Sequence, residues 1–226
     1  MGLASGKHHG AVTSPGVEEA MRLYLDTTIA NDIFVLLQSN GGDKLDNRDV
    51  KTPLSKWVRE YIALYYLLDL NDQWALEFGS SPILEEELLR IPTESLHAQS
   101  KKNTLLGVHT VLLDNTNFCK LQPVPIDLFN QIQTTFPHRK DIEHICQAIL
   151  GGWDFFITTD FKSILTRSKR RKLHGITTIS PNQFLEDNFM TLEQLIRTFH
   201  GPWTTLEDVV DSWVDAIQSS IQVNHF

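Results

Sequence analysis

Phe155-Phe156-Ile157-Thr158-Thr159-Asp160 decides how the rest of the chain is read, because an aromatic and β-branched run suited to a buried strand passes directly into a carboxylate. Strands covered by helices on both faces read as short apolar runs, and ligands gather beyond their carboxyl ends. An earlier run of the same kind, Leu23-Tyr24-Leu25, ends in Asp26. As parallel strands, the two would deliver both carboxylates to one edge of the sheet. Further strands are expected over 74–78, 119–124 and 176–179. Between them the apolar residues recur at helical spacing, most clearly at Leu54, Trp57, Val58, Tyr61, Ile62, Tyr65 and Leu68. Ser80-Ser81-Pro82 is a helix-start signal, and Ser180-Pro181 is another. Helices are also expected after Asp26, to about residue 90, over 94–113, 126–135 and 141–150, from Phe161 to about Lys172, and from Thr191 onward. Strands alternating with helices predict an α/β fold, a mainly parallel sheet with helices on both faces.

Composition sets the outer limits. The chain has 226 residues, 41% hydrophobic and 21% charged, enough to bury a sizeable core. No apolar run is long enough to span a bilayer, and the Gly-, Ser- and His-rich start lacks the apolar segment of a secretory signal, so a cytoplasmic location is expected. Cys119 and Cys146 form no CxxC pair and are expected to be reduced core thiols. The formal charge of -8 does not advertise nucleic-acid binding, but the charge is segregated. Lys162, Arg167, Lys169, Arg170, Arg171 and Lys172 fall in one stretch free of acids, while residues 182–226 hold seven acids and Arg197 alone. By itself a basic run is equally a solvated helix face. Residues 1–20 read as a flexible arm, 21–187 as the main domain and 188–226 as a helical extension. In that extension Val210, Trp213, Val214, Ile217 and Ile221 form a stripe that either packs on the domain or meets a partner.

Two acids on helices are harder to explain than the two at strand ends. At 100° per residue, Ile83, Leu84, Leu88 and Ile91 share one arc, and Glu87 falls in its middle while Glu85 and Glu86 point elsewhere. In the helix from Asp141, the face of Ile142, Ile145, Ala148 and Ile149 also contains Asp141 itself. A charge on a buried stripe is costly without a partner or a cation. Each acid has a simpler reading alone: Asp26 and Asp160 as caps, Asp141 as a first-turn acid. Together, Asp26, Glu87, Asp141 and Asp160 read as a carboxylate cluster. At about 5 Å and an effective dielectric near 20, each like-charged pair costs about 3 kcal/mol, so such a cluster calls for a cation. Oxygen ligands point to Mg2+ or Mn2+. His138, His144 and the pair His8-His9 form no ligand-spaced set, and His144 reads as an edge residue of its helix. Neither a glycine-rich phosphate loop nor a GxSxG elbow occurs, and Thr28 stands where a dehalogenase-type phosphatase would carry its second Asp.

The order of these motifs resembles the PIN-domain ribonucleases, which include VapC-like toxins. Leu23-Tyr24-Leu25-Asp26-Thr27-Thr28 resembles the family's first strand, and Ser80 to Leu88 its Ser-led helix with Glu87 as the acid. Asp141 to Ala148 resembles the helix carrying the third acid, Phe156 to Phe161 the strand ending in the fourth, and Ile179 to Leu185 the usual finish. The resemblance implies a three-layer PIN-like domain and a metal-dependent endoribonuclease. In it Asp26, Glu87, Asp141 and Asp160 bind one or two Mg2+ or Mn2+ ions, and one of them, or a hydroxide, serves as general base. Thr27 and Thr159 would orient ligands or a water, unless they only cap or pack, and Arg167, Lys169, Arg170, Arg171 and Lys172 would form a phosphate-contacting rim on the RNA. An antitoxin-like protein and a second copy of the chain are the other partners the resemblance suggests. The chain is longer than a compact toxin of this family, and its extra helices leave a second reading: a catalytically silent module that binds RNA or protein.

Overall fold

The computed structural model describes residues 20–37, 54–69, 76–95, 98–99, 102–103, 106–107, 121–168 and 172–213. Met21–Leu25 (β1) pairs in parallel with Leu76–Gly79 (β2) on one side and with Phe155–Ile157 (β3) on the other. Lys172–Leu173 (β4) and Ile176–Ile179 (β5) form a hairpin, and β5 pairs in parallel with β3. Among the described residues the result is a five-stranded sheet, ordered β2-β1-β3-β5-β4, in which only β4 runs antiparallel. The hairpin turn takes left-handed backbone at His174 and Gly175, with φ of 48° and 95°.

Helices cover both faces because the strands alternate side chains between them. Leu23 and Leu25 of β1 and Ile157 of β3 enter one core with Val58 and Ile62 of α2 (Leu54–Asp69). The α1 helix (Thr27–Leu37) leads into that face through Ile29. Tyr24 and Phe156 point the opposite way, into a second core with Ile132 of α4 (Ile126–Gln133) and Ile142, Ile145 and Ala148 of α5 (Arg139–Leu150). The α3 helix (Pro82–Leu89) packs Leu84 and Leu88 against Ala30. Pro181–Asn188 (α6) and Leu192–His200 (α7) follow β5, and helix α8 begins at 206 and is described to 213. Leu192, Leu195, Ile196, Leu206 and Val210 are buried in the same core as Leu23 and Leu25, so the acidic C-terminal stretch contributes to the main core as far as it is described. Among the described residues no helix is long and apolar enough to cross a membrane.

Several expected elements take other forms. The strand expected to run directly into Asp160 stops at Ile157, with Thr158 and Thr159 between its end and the acid. The helix expected from Phe161 to Lys172 is a π-helical turn, Phe161–Leu165, followed by a helical turn that ends at Ser168, and Lys172 instead opens β4. The wide turn follows from Asp160, whose carbonyl accepts from both Ile164 and Leu165 N–H. Residues 121–124 of the strand expected over 119–124 are not strand. Pro123 offers no N–H to a ladder, and Gln122 N–H bonds the Gln147 side chain instead. Most of 94–113, Cys119, the arm 1–19 and residues 214–226, with three members of the apolar stripe, lie outside the described residues.

Candidate active site at the carboxyl edge of the sheet

The site begins where β1 and β3 end side by side. Asp26 N–H donates to Ile157 O at 3.1 Å, which carries the ladder one residue past β1 and fixes the carboxylate at the edge. The side chain is buried at 6% exposure, so its oxygens need partners. Oδ1 accepts from Thr27 N–H at 2.7 Å, and Oδ2 accepts from the hydroxyls of Thr28 at 2.9 Å and Thr158 at 2.7 Å. Thr158 Oγ1 also accepts from Asp160 N–H at 3.0 Å. One hydroxyl therefore ties the ends of both strands together. Asp160 Oδ1 accepts from Ser163 N–H at 2.7 Å, so this carboxylate does cap the turn that follows.

Glu87 arrives from the side on α3. The helix starts where the sequence signal places it, with Ser81 accepting from Ile83 N–H and Pro82 in the first turn. Ser80 Oγ donates to Leu25 O at 3.1 Å, holding that start against β1. Glu87 is half-buried and its Oε2 accepts from the Thr27 hydroxyl, while His144 Nε2 lies 3.3 Å from the same oxygen. Burial works to raise this carboxyl, but the bonds from His144 and Thr27 and the charges of His144 and Lys140 together hold it below its ordinary value.

Asp141 is the third residue of α5. Burial first, then the Asp26 and Asp160 charges, push its carboxyl from 3.8 to about 6, against the opposing pull of His138 and His144. Its Oδ2 is buried and has no hydrogen-bond partner among the described residues. Asp141 thus feels both strand-end acids, and Thr27 links the fourth, with its N–H on Asp26 and its hydroxyl on Glu87. All four expected acids come to one edge.

The expected hydroxyls divide. Thr27 bridges two acids, but the Thr159 hydroxyl donates to Asp32 Oδ2 at 2.6 Å, and the hydroxyl between Asp26 and Asp160 belongs to Thr158. Residue type alone does not single out Thr158, because which threonine meets Asp26 depends on how β3 sits beside β1. His144 is 2% exposed, not an edge residue. Its spacing of three from Asp141 was the available signal, since residues three apart share a helix face. Of the basic stretch, Lys162, Arg167 and Lys172 are exposed; Lys169, Arg170 and Arg171 lie outside the described residues.

Among the described residues no group of three or more His, Cys, Asp or Glu side chains could hold a metal ion as placed. Mg2+ keeps several waters and takes only one or two carboxylates directly, so a three-fold cage is not required of it. The all-oxygen donor set, the like charges around Asp141 and its unpaired Oδ2 fit such a hydrated ion. The chain matches no known protein family model and no curated protein.

Proposed function

We propose that the protein is a PIN-like endoribonuclease that hydrolyses RNA phosphodiester bonds with Mg2+ or Mn2+. The observation that carries this reading is the convergence on Asp141, where an unpaired buried carboxylate oxygen meets the charges of Asp26 and Asp160. When bound, the ion would polarise the phosphodiester and lower the pKa of the attacking water. Asp26 and Asp141 would hold it, with Asp160 and Glu87 reaching it directly or through its waters. Thr158 keeps Asp26 and Asp160 in register, and Thr27 does the same for Asp26 and Glu87. Lys162, Arg167 and Lys172 follow Asp160 on exposed surface and would contact phosphates, which would make RNA binding fall with salt. A silent RNA- or protein-binding module is the second reading, favoured by the formal charge of -8.

One experiment separates the two: incubation of a structured RNA pool with purified protein in Mn2+, in EDTA, and with Asp26→Asn. Cuts that need Mn2+ and vanish in the variant support the nuclease. Intact RNA with folded protein would select the binding module, and equal cutting by wild type and variant would refute the site.

A further inference from the structure

His144 belongs to a hydrogen-bonded chain that runs through the interior and ends on Glu87. Tyr24 is fully buried, its ring stacked on Phe156 at 5.4 Å between centroids and edge-on to Trp153 at 6.0 Å. Packing therefore fixes where its hydroxyl sits. That oxygen lies 2.5 Å from Ser81 Oγ and 2.9 Å from His144 Nδ1. Across the ring, His144 Nε2 lies 3.3 Å from Glu87 Oε2 and 3.4 Å from Thr27 Oγ1. A carboxylate only accepts, so Nε2 carries a hydrogen, while Nδ1 faces a hydroxyl able to give or take one.

Three elements meet along this chain. Tyr24 is on β1, two residues before Asp26; Ser81 caps α3, which carries Glu87; and His144 is on α5, one turn beyond Asp141. The buried imidazole needs a partner at each ring nitrogen, and Tyr24 serves only Nδ1. The partner at Nε2 is a half-buried carboxylate at the sheet edge, so the ring that Tyr24 holds also fixes one oxygen of Glu87. Among the described residues both side-chain donors to Glu87 reach Oε2.

We infer that His144 is a positioning residue, which orients the Glu87 carboxylate through Nε2–H while Tyr24 and Ser81 hold the imidazole at Nδ1. The inference rests on the carboxylate-site reading above, since orientation of Glu87 matters most if that carboxylate serves a cation. Partners that orient a ligand typically change metal affinity 10–100-fold when removed.

The test is a Mn2+ titration, followed by electron paramagnetic resonance, of the full-length wild type, His144→Phe, His144→Gln and Tyr24→Phe, each with a melting curve to establish folding. Phe keeps ring bulk and loses both nitrogens; Gln keeps an N–H in reach of Glu87. About 10-fold or greater weakening in folded His144→Phe, with most of the affinity restored in His144→Gln, supports the inference. Wild-type affinity in folded His144→Phe overturns it, as does equal weakening in both His144 variants. If wild type takes up no Mn2+, the metal reading fails, and the inference is decided by the long-range 1H–15N spectrum of the imidazole. A hydrogen on Nε2 whose resonance moves in Glu87→Gln then supports it, and an Nε2 without hydrogen overturns it.

Discussion

Without metal, Asp141→Asn should stabilise the folded protein at neutral pH, although it alters a residue assigned to the site. Burial and the neighbouring Asp26 and Asp160 charges raise the carboxyl from 3.8 to about 6. At 1.36 kcal/mol per pKa unit, ionisation at pH 7.5 costs the fold at most about 3 kcal/mol. The side chain is only half-buried, and solvent screening reduces this to about 1.5 kcal/mol. The substitution also gives up the attraction between a first-turn acid and the α5 dipole, about 0.5 kcal/mol. Relief of burial and repulsion together wins by about 1 kcal/mol, or roughly 2–4 °C in Tm for a chain of this size. The sign with pH follows from a raised acid: the folded state holds the proton more tightly, so wild-type stability is fully present below about pH 4 and lost as pH rises through about 6. The gain should therefore be seen at pH 7.5 and vanish near pH 4. Differential scanning fluorimetry in EDTA across this range is the assay. Equal or lower Tm for the variant at pH 7.5, or a difference independent of pH, would refute the claim that burial and the neighbouring acids raise the Asp141 carboxyl. Added Mn2+ should reverse the order, because binding to the native state stabilises only the protein that retains its ligand.

Three further outcomes check other parts of the structure. Glu60 is 4% exposed, and burial, helped by the Asp32 charge, pushes its carboxyl up to about 7 despite opposing bonds from Asn182 N–H and Ser180 and the Lys56 charge. The stability this lends is present at low pH and lost as pH rises through about 7, so urea denaturation should show wild type losing up to about 3 kcal/mol more than Glu60→Gln between pH 5 and 8.5. A Cβ on Gly79 would overlap the Trp153 ring, so Gly79→Ala should cost about 2–3 kcal/mol in the same assay, and an unchanged midpoint would contradict the close approach of β2 to Trp153. Thr158→Val removes the hydroxyl shared by Asp26 Oδ2 and Asp160 N–H and should lower Mn2+ affinity about 10-fold or more, whereas Thr159→Val, whose hydroxyl faces Asp32, should change it less; titration of both variants distinguishes the two threonines.

The chain by itself determined the strand ends and the helix faces, because both depend on local periodicity. Leu23-Tyr24-Leu25 and Phe155-Phe156-Ile157 form parallel strands, the first ending at Asp26 and the second three residues before Asp160, Ser81-Pro82 starts α3, and the arcs holding Glu87 and Asp141 carry buried Leu84, Leu88, Ile142 and Ile145. Tertiary structure decided what those acids touch. Whether Thr158 or Thr159 meets Asp26 depends on how β3 sits beside β1, and a spacing along one strand does not contain that register. The burial of His144 against Tyr24 and Glu87 needed α5 and α3 to meet each other beside β1, a meeting of residues 57 and 120 positions apart. The π-helical turn after Asp160 was hidden for the same reason. The basic residues from Lys162 to Lys172 suit a helix, but the chain returns through the His174-Gly175 turn to pair Lys172 with Thr177. Local periodicity gives each element its face; only the packed sheet gives each polar atom its partner.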